Sequence, residues 1–193
     1  MKGLTVAIMA GGQSSRMGRD KSFVLFEGRP MIEIVRETVA GLGDETLLIT
    51  NKPDEYAYLN LPMVSDVYPG LGPLGGIYTA VHAAAAPHVL VVACDMPWLN
   101  RPLLEYLIRL RETAAVVVPR WDKYPEPLHA IYSKACLEPI ATMLNEKRLK
   151  IAGFFGQVTV RFVERGEIEQ FDGNGRSFAN INSPEDLGKA SKK

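Results

Sequence analysis

Apolar positions along this chain follow two rhythms. Leu4 to Met9 is a short, nearly unbroken apolar run, and Val89 to Ala93 is another. Runs of this kind suit central strands of a parallel sheet covered on both faces. After Pro30 the spacing changes: Ile32, Val35 and Val39 recur at helical intervals until Gly41 and Gly43 stop the segment, and 46–50 reads as strand again. The pattern repeats with a helix over 77–86, the buried strand 89–93, a helix opened by Asn100 and Pro102 that ends near Arg111, and a strand at 115–118. Alternation of this kind predicts a three-layer α/β fold with a mostly parallel sheet and right-handed crossovers. Ligands then bind beyond the carboxyl ends of the strands.

The last third is less regular. It reads as a helix over 134–145, a helical stretch at 150–155 and a strand at 158–164. A polar, glycine-containing loop at 166–177 follows, then Phe178 to Ile181 and a final helix opened by Ser183, Pro184 and Glu185. No repeat or low-complexity linker interrupts the pattern, and 193 residues suit a single domain.

Composition narrows the function classes. With 47% hydrophobic and 23% charged residues the chain is an ordinary globular protein. Its 22 basic and 22 acidic residues cancel, which disfavours binding to nucleic acid or anionic lipid. Cys94 and Cys136 stand without a CxxC or Cys/His spacing, so zinc is not indicated and both are expected as buried free thiols. The apolar start runs into a glycine loop without a convincing cleavage region and reads as a strand. No apolar stretch is long enough to cross a bilayer, so the cytoplasm is the expected compartment.

The chemistry concentrates where strands end. Ala10 to Lys21 reads AGGQSSRMGRDK, and glycines there let backbone N–H groups approach phosphate without side-chain obstruction. Arg16 and Lys21 add the positive charge that would neutralise a departing pyrophosphate. Any one of these residues is ordinary in a solvated turn; two glycines and two cations directly after a first strand are less so. The spacing is not GxxxxGK[ST], which argues against a P-loop NTPase. Asp95, in Cys94-Asp95-Met96-Pro97, follows a buried strand and is placed to hold a divalent cation against phosphates, while Asn100 is better placed as a helix cap. Asp66 and Asn51 also stand at strand ends, and each reads equally as a turn former. The stretch 70–75, GLGPLG, is literally GxGxxG, but Pro69 and Pro73 stiffen it and the preceding strand is short, so a dinucleotide site is the weaker reading. Trp98, Trp121 and Tyr124 are expected to pack in the core or at its rim, and Glu105, Arg109 and Arg111 to form a solvated helix face.

AGGQSSRMGRDK resembles the AGGxSxRMGxDK signature of the molybdopterin nucleotidyltransferases, with Met9 in place of the leucine usual before it. CDMP at 94–97 is similar to the family's CDxP, the glycine-rich segment at 69–77 to its PGxGPLxGI, PLHA at 127–130 to its PLHA, and NINSPEDL at 180–187 to its NxNTPEDL ending. The resemblance, closest to the molybdenum cofactor guanylyltransferases, implies a Rossmann-like nucleotide-diphospho-sugar transferase fold. Its nucleotide-binding half would cover about residues 1–100 and its acceptor-binding half about 101–193. It implies that Met9, Ala10, Gly11 and Gly12 contact the nucleotide, that Arg16 and Lys21 bind its phosphates, and that Asp95 holds Mg2+. Asp66 and Gly75 would line the nucleotide pocket, Asn51 or Thr50 would meet the base or ribose, and Asn180 and Asn182 would face the acceptor. His129 in PLHA is assigned no proton-transfer role. The implied substrates are GTP and molybdopterin, with transient contacts to other proteins of molybdenum cofactor biosynthesis. Transfer from CTP or onto a sugar phosphate, and a nucleotide-binding module without catalysis, are the alternatives.

Overall fold

The computed structural model describes residues 3–11 and 21–181. In chain order the elements are strand β1 (Leu4–Met9), the hairpin of β2 (Leu25–Phe26) and β3 (Arg29–Pro30), helix α1 (Met31–Val39), β4 (Glu45–Ile49), α2 (Pro53–Tyr56), β5 (Met63–Val64), α3 (Gly72–Ala83) and β6 (His88–Ala93). Then come α4 (Arg101–Arg109), β7 (Val116–Arg120), β8 (His129–Ser133), α5 (Leu137–Asn145), β9 (Val160–Glu164) and α6 (Arg165–Ile168). Short 3-10 turns lie at Lys21–Phe23, Ile151–Gln157 and Arg176–Phe178.

One seven-stranded sheet runs β5-β4-β1-β6-β8-β7-β9. β5, β4, β1 and β6 are mutually parallel, β7 and β9 pair in parallel, and β8 is antiparallel to both of its neighbours. The unbroken apolar runs follow from burial on both faces. Leu4, Val6 and Ile8 of β1 and Leu90 and Val92 of β6 pack into the layer that holds α1 and α4. Ala7, Val89 and Val91 point the other way, into the layer of α3 and α5. Period-two alternation therefore persists, with apolar side chains required on both faces.

The mostly parallel α/β architecture stands as expected, with four local corrections. The helix expected over 77–86 begins earlier, at Gly72, because Pro73 in its first turn needs no amide partner. It also ends earlier, where Lys134 Nζ donates to the carbonyls of Val81, His82 and Ala84 and closes its carboxyl end. β8 was not anticipated: Ala130, Ile131 and Tyr132 are fully buried and insert as a reversed strand between β6 and β7. The loop expected at 166–177 contains α6, nucleated by a reciprocal capping box between Glu164 and Glu167. Arg111 does not belong to a solvated helix face. It lies beyond α4, keeps only 20% of its side chain exposed, and donates to the Ile108 carbonyl. The expected final helix from Ser183 lies outside the described residues.

Candidate active site

Because β1, β4, β5 and β6 run in parallel, their carboxyl ends share one edge of the sheet, and every candidate motif begins at that edge. Main-chain hydrogen bonds continue past the strands and join the motifs to one another. The Thr50 amide donates to Val64, that of Ala10 to Ile49, and that of Cys94 to Met9, at 3.0, 2.9 and 3.1 Å. On the far side the Ala93 amide donates to Leu128, at the head of PLHA, and the Ile181 amide donates to the Asp95 carbonyl at 3.1 Å. Main-chain bonds thus tie together the segments that carry the end of β1, Asn51, Asp66, Asp95 and Asn180. Such bonding suits a site that must fix a substrate's geometry.

At the corner of β4 and β5 the two candidates for the base contact differ in exposure. Thr50 is buried, and its hydroxyl accepts from the Lys52 amide at 3.2 Å, which makes it a turn former. Asn51 is exposed and bonds Asp66 twice: its amide nitrogen donates to Asp66 Oδ2, and its Oδ1 accepts from the Asp66 amide, both at 2.9 Å. The two residues form one rigid polar corner open to solvent. Thr79, fully buried in α3, receives the Val67 amide at 2.9 Å and donates to the Gly75 carbonyl, pinning the Asp66 loop to the helix. A lone threonine inside an apolar helix gave no sequence signal of that bridge.

Glycines in this loop answer to close approach. A Cβ on Gly75 would stand 2.9 Å from the Tyr68 carbonyl oxygen. One on Gly76 would meet Met9 Cε at 2.1 Å and lie 3.7 Å from Asp66 Oδ1. Gly70 and Gly72 adopt φ of 79° and 68°, the left-handed region. Together these constraints account for the GxGxxG spacing without a dinucleotide.

Asp95 sits in the turn after β6, half buried, beside the end of β1. Asn100, five residues on, caps α4 by accepting from the Leu103 amide at 3.0 Å and donates to the Phe171 carbonyl at 2.9 Å. Pro97 and Trp98 form one wall of a cleft of about 330 Å³ with Phe26, Glu27, Arg29, Ile34 and Arg176. Trp98 meets Phe26 edge-on at 5.0 Å, and the Arg176 guanidinium lies 4.7 Å from the centre of its ring. None of the described nucleotide candidates is among these lining residues. Trp121 packs against Phe178 and beneath Arg165, whereas Tyr124 is exposed.

His129 is core rather than surface. Its side chain is fully buried with the edge of Phe178 against it, and both ring nitrogens lack a hydrogen-bond partner among the described residues. Burial pushes its pKa down to about 4, opposed by the charge of Asp172, so the ring is neutral near pH 7. Glu126, just before PLHA, is half buried; burial first and the charge of Asp122 second raise its carboxyl above the usual range. It is a polar group at this edge that motif spacing did not flag. Cys94 and Cys136 are buried free thiols, as expected, and burial pushes Cys136 up to about 11. Gly12, Arg16 and Asn182 lie outside the described residues, and Lys21 enters the geometry here through its main chain, at the start of the 3-10 turn Lys21–Phe23.

A family model described as the MobA-like NTP transferase domain matches residues 6–157, most of the chain and every described motif except the carboxyl-terminal one. The chain belongs to that family. Among its relatives, the probable molybdenum cofactor guanylyltransferase of Carboxydothermus hydrogenoformans is 36% identical over 98% of this chain and 95% of its own length. The molybdenum cofactor guanylyltransferase of Desulfosudis oleivorans is 33% identical over 98% and 95%. A crystal structure of molybdopterin-guanine dinucleotide biosynthesis protein A from Archaeoglobus fulgidus superposes with a TM-score of 0.84 at 28% identity, covering 96% of each chain. As a MobA-like transferase domain, the chain has the described parts of its candidate nucleotide motifs and its Asp95 turn on one sheet edge, where ligands bind in open parallel sheets.

Proposed function

We infer that this chain transfers GMP from GTP to the terminal phosphate of molybdopterin, releasing pyrophosphate and forming the guanine dinucleotide. The observation that carries this reading is the backbone-bonded edge where the ends of β1, β4, β5 and β6 meet Asn180 and PLHA, in a chain whose near-full-length relatives bear the name molybdenum cofactor guanylyltransferase. The main chain of Met9 to Gly12 receives the nucleotide, and the paired Asn51 and Asp66 present polar atoms to base and ribose beside Gly75. Arg16 and Lys21 bind the phosphates. Asn180, joined through Ile181 to the Asp95 turn, and Asn182 face the acceptor.

An oxygen of the acceptor phosphate attacks the α-phosphorus of GTP in line, a new P–O bond forms, and the bond to the β-bridging oxygen breaks as pyrophosphate leaves. A phosphate monoester has its second pKa near about 6 and is largely ionised at neutral pH, so the nucleophile needs no protein base. The neutral, enclosed His129 agrees with that. The protein's work is alignment and charge: loop amides, Arg16 and Lys21 stabilise the displaced phosphates.

Magnesium fits the Asp95 position by donor chemistry. No group of three or more His, Cys, Asp or Glu gathers among the described residues, but this cation is commonly held by one or two carboxylates together with substrate phosphates and water. Bound there, it would supply Lewis-acid stabilisation of phosphate charge. Among the described residues no helix is long and apolar enough to cross a membrane. The proposed role places the enzyme in the cytoplasm, in transient contact with other cofactor-making proteins.

Pyrophosphate release measured with each of the four NTPs, and with molybdopterin or sugar phosphates as acceptor, tests the reading. Release is expected from GTP when molybdopterin is present. Release driven by CTP, or onto a sugar phosphate, would reassign the substrates; nucleotide binding without release would leave a binding module.

A further inference from the structure

Tyr56 ends α2, five residues beyond Asn51, and its side chain is fully buried. Its ring stacks on Phe23 with centroids 4.9 Å apart, and its hydroxyl shares a buried hydrogen bond of 2.5 Å with the Ser22 hydroxyl. Ser22 and Phe23 complete the 3-10 turn that begins at Lys21, and Ser22 is itself fully buried. Buried hydroxyls are costly unless hydrogen-bonded, and Phe with Ala would fill the same space without polar atoms. What the hydroxyl pair adds over packing is direction. It fixes the turn after Lys21 against the segment that starts at Asn51, and so fixes the phosphate end of the site against the base end.

We propose that Tyr56 is a positioning residue for nucleotide binding, acting through Ser22 to set the main-chain position of Lys21 at the start of its 3-10 turn. The inference rests on the assignment of Lys21 to the nucleotide phosphates. It is specific to the hydroxyl, since the ring alone would keep the stack on Phe23.

GTP affinity by calorimetry and the thermal midpoint are measured for the wild type, Tyr56→Phe, the double variant Ser22→Ala/Tyr56→Phe, Lys21→Ala and Lys21→Ala/Tyr56→Phe. Tyr56→Phe is expected to weaken GTP binding about tenfold, the scale of one well-placed hydrogen bond. The double variant removes both hydroxyls together, and its GTP binding is expected to stay weak whatever its thermal midpoint. A purely structural pair would not separate those two readouts. In the Lys21→Ala background Tyr56→Phe adds no further loss. The proposal is overturned if affinity is unchanged in Tyr56→Phe, if it recovers together with the thermal midpoint, or if the loss is the same with and without Lys21. Wild-type affinity and turnover in Lys21→Ala itself would instead remove the phosphate assignment on which the inference stands.

Discussion

In the proposed reaction the decisive residue is Asp95. Asp95→Asn keeps the size of the side chain and removes its charge, so it is expected to fold normally and to lose at least about a hundredfold in turnover, the scale of one electrostatic contact to the transition state. Chelation of divalent cations should abolish pyrophosphate release in the wild type, and added magnesium should restore it. His129 makes a different prediction, about stability. Its folded pKa of about 4 lies below the ordinary 6.5, so between those values the unfolded chain binds a proton that the folded chain refuses. Stability from this group is complete above about pH 6.5 and declines as pH falls toward 4, by about 3 kcal/mol in all. Denaturant unfolding of His129→Leu from pH 7 to 4 should lack that part of the decline; an unchanged pH profile would show that the ring is not enclosed. Gly75→Ala places a methyl 2.9 Å from a backbone oxygen and should cost about 1–3 kcal/mol, read by the same unfolding measurement.

At the scale of elements, the stop of β6 and the start of α4 form one unit that holds Asp95. Asn100 contributes twice, capping α4 and bonding the Phe171 carbonyl. Asn100→Ala is therefore expected to lose about 1–2 kcal/mol, toward the upper end for a helix cap because a second bond goes with it. The elements also show what the chain alone made legible. β1 and β6 are unbroken apolar runs, and α1 keeps helical spacing with Met31, Ile32, Val35 and Val39 buried, so periodicity sufficed for them. β8 escaped because five residues sandwiched between two strands carry no alternation, and because its reversed direction depends on β6 and β7 already being in place. Likewise Asp66, Asn51 and Asp95 were visible as polar residues closing strands. Thr79, Glu126, Ser22 and Tyr56 were not, since their roles come from contacts across 12 or 34 positions of chain or from burial.

Across the whole molecule, parallel strand direction does most to make the site: it delivers the ends of four strands to one edge, and the backbone bonds between them leave little freedom to lose when substrate arrives. The cleft beside Trp98 opens from the Asp95 loop yet, among the described residues, shares no lining residue with the nucleotide candidates, so it serves as an internal control for where the nucleotide goes. The most direct test of that arrangement is a crystal structure with GTP and magnesium bound. The account predicts guanine at Asn51 and Asp66, with the triphosphate running past Gly11 and Lys21 to a cation on Asp95. A nucleotide seated against Trp98 and Arg176, or a cation remote from Asp95, would contradict it.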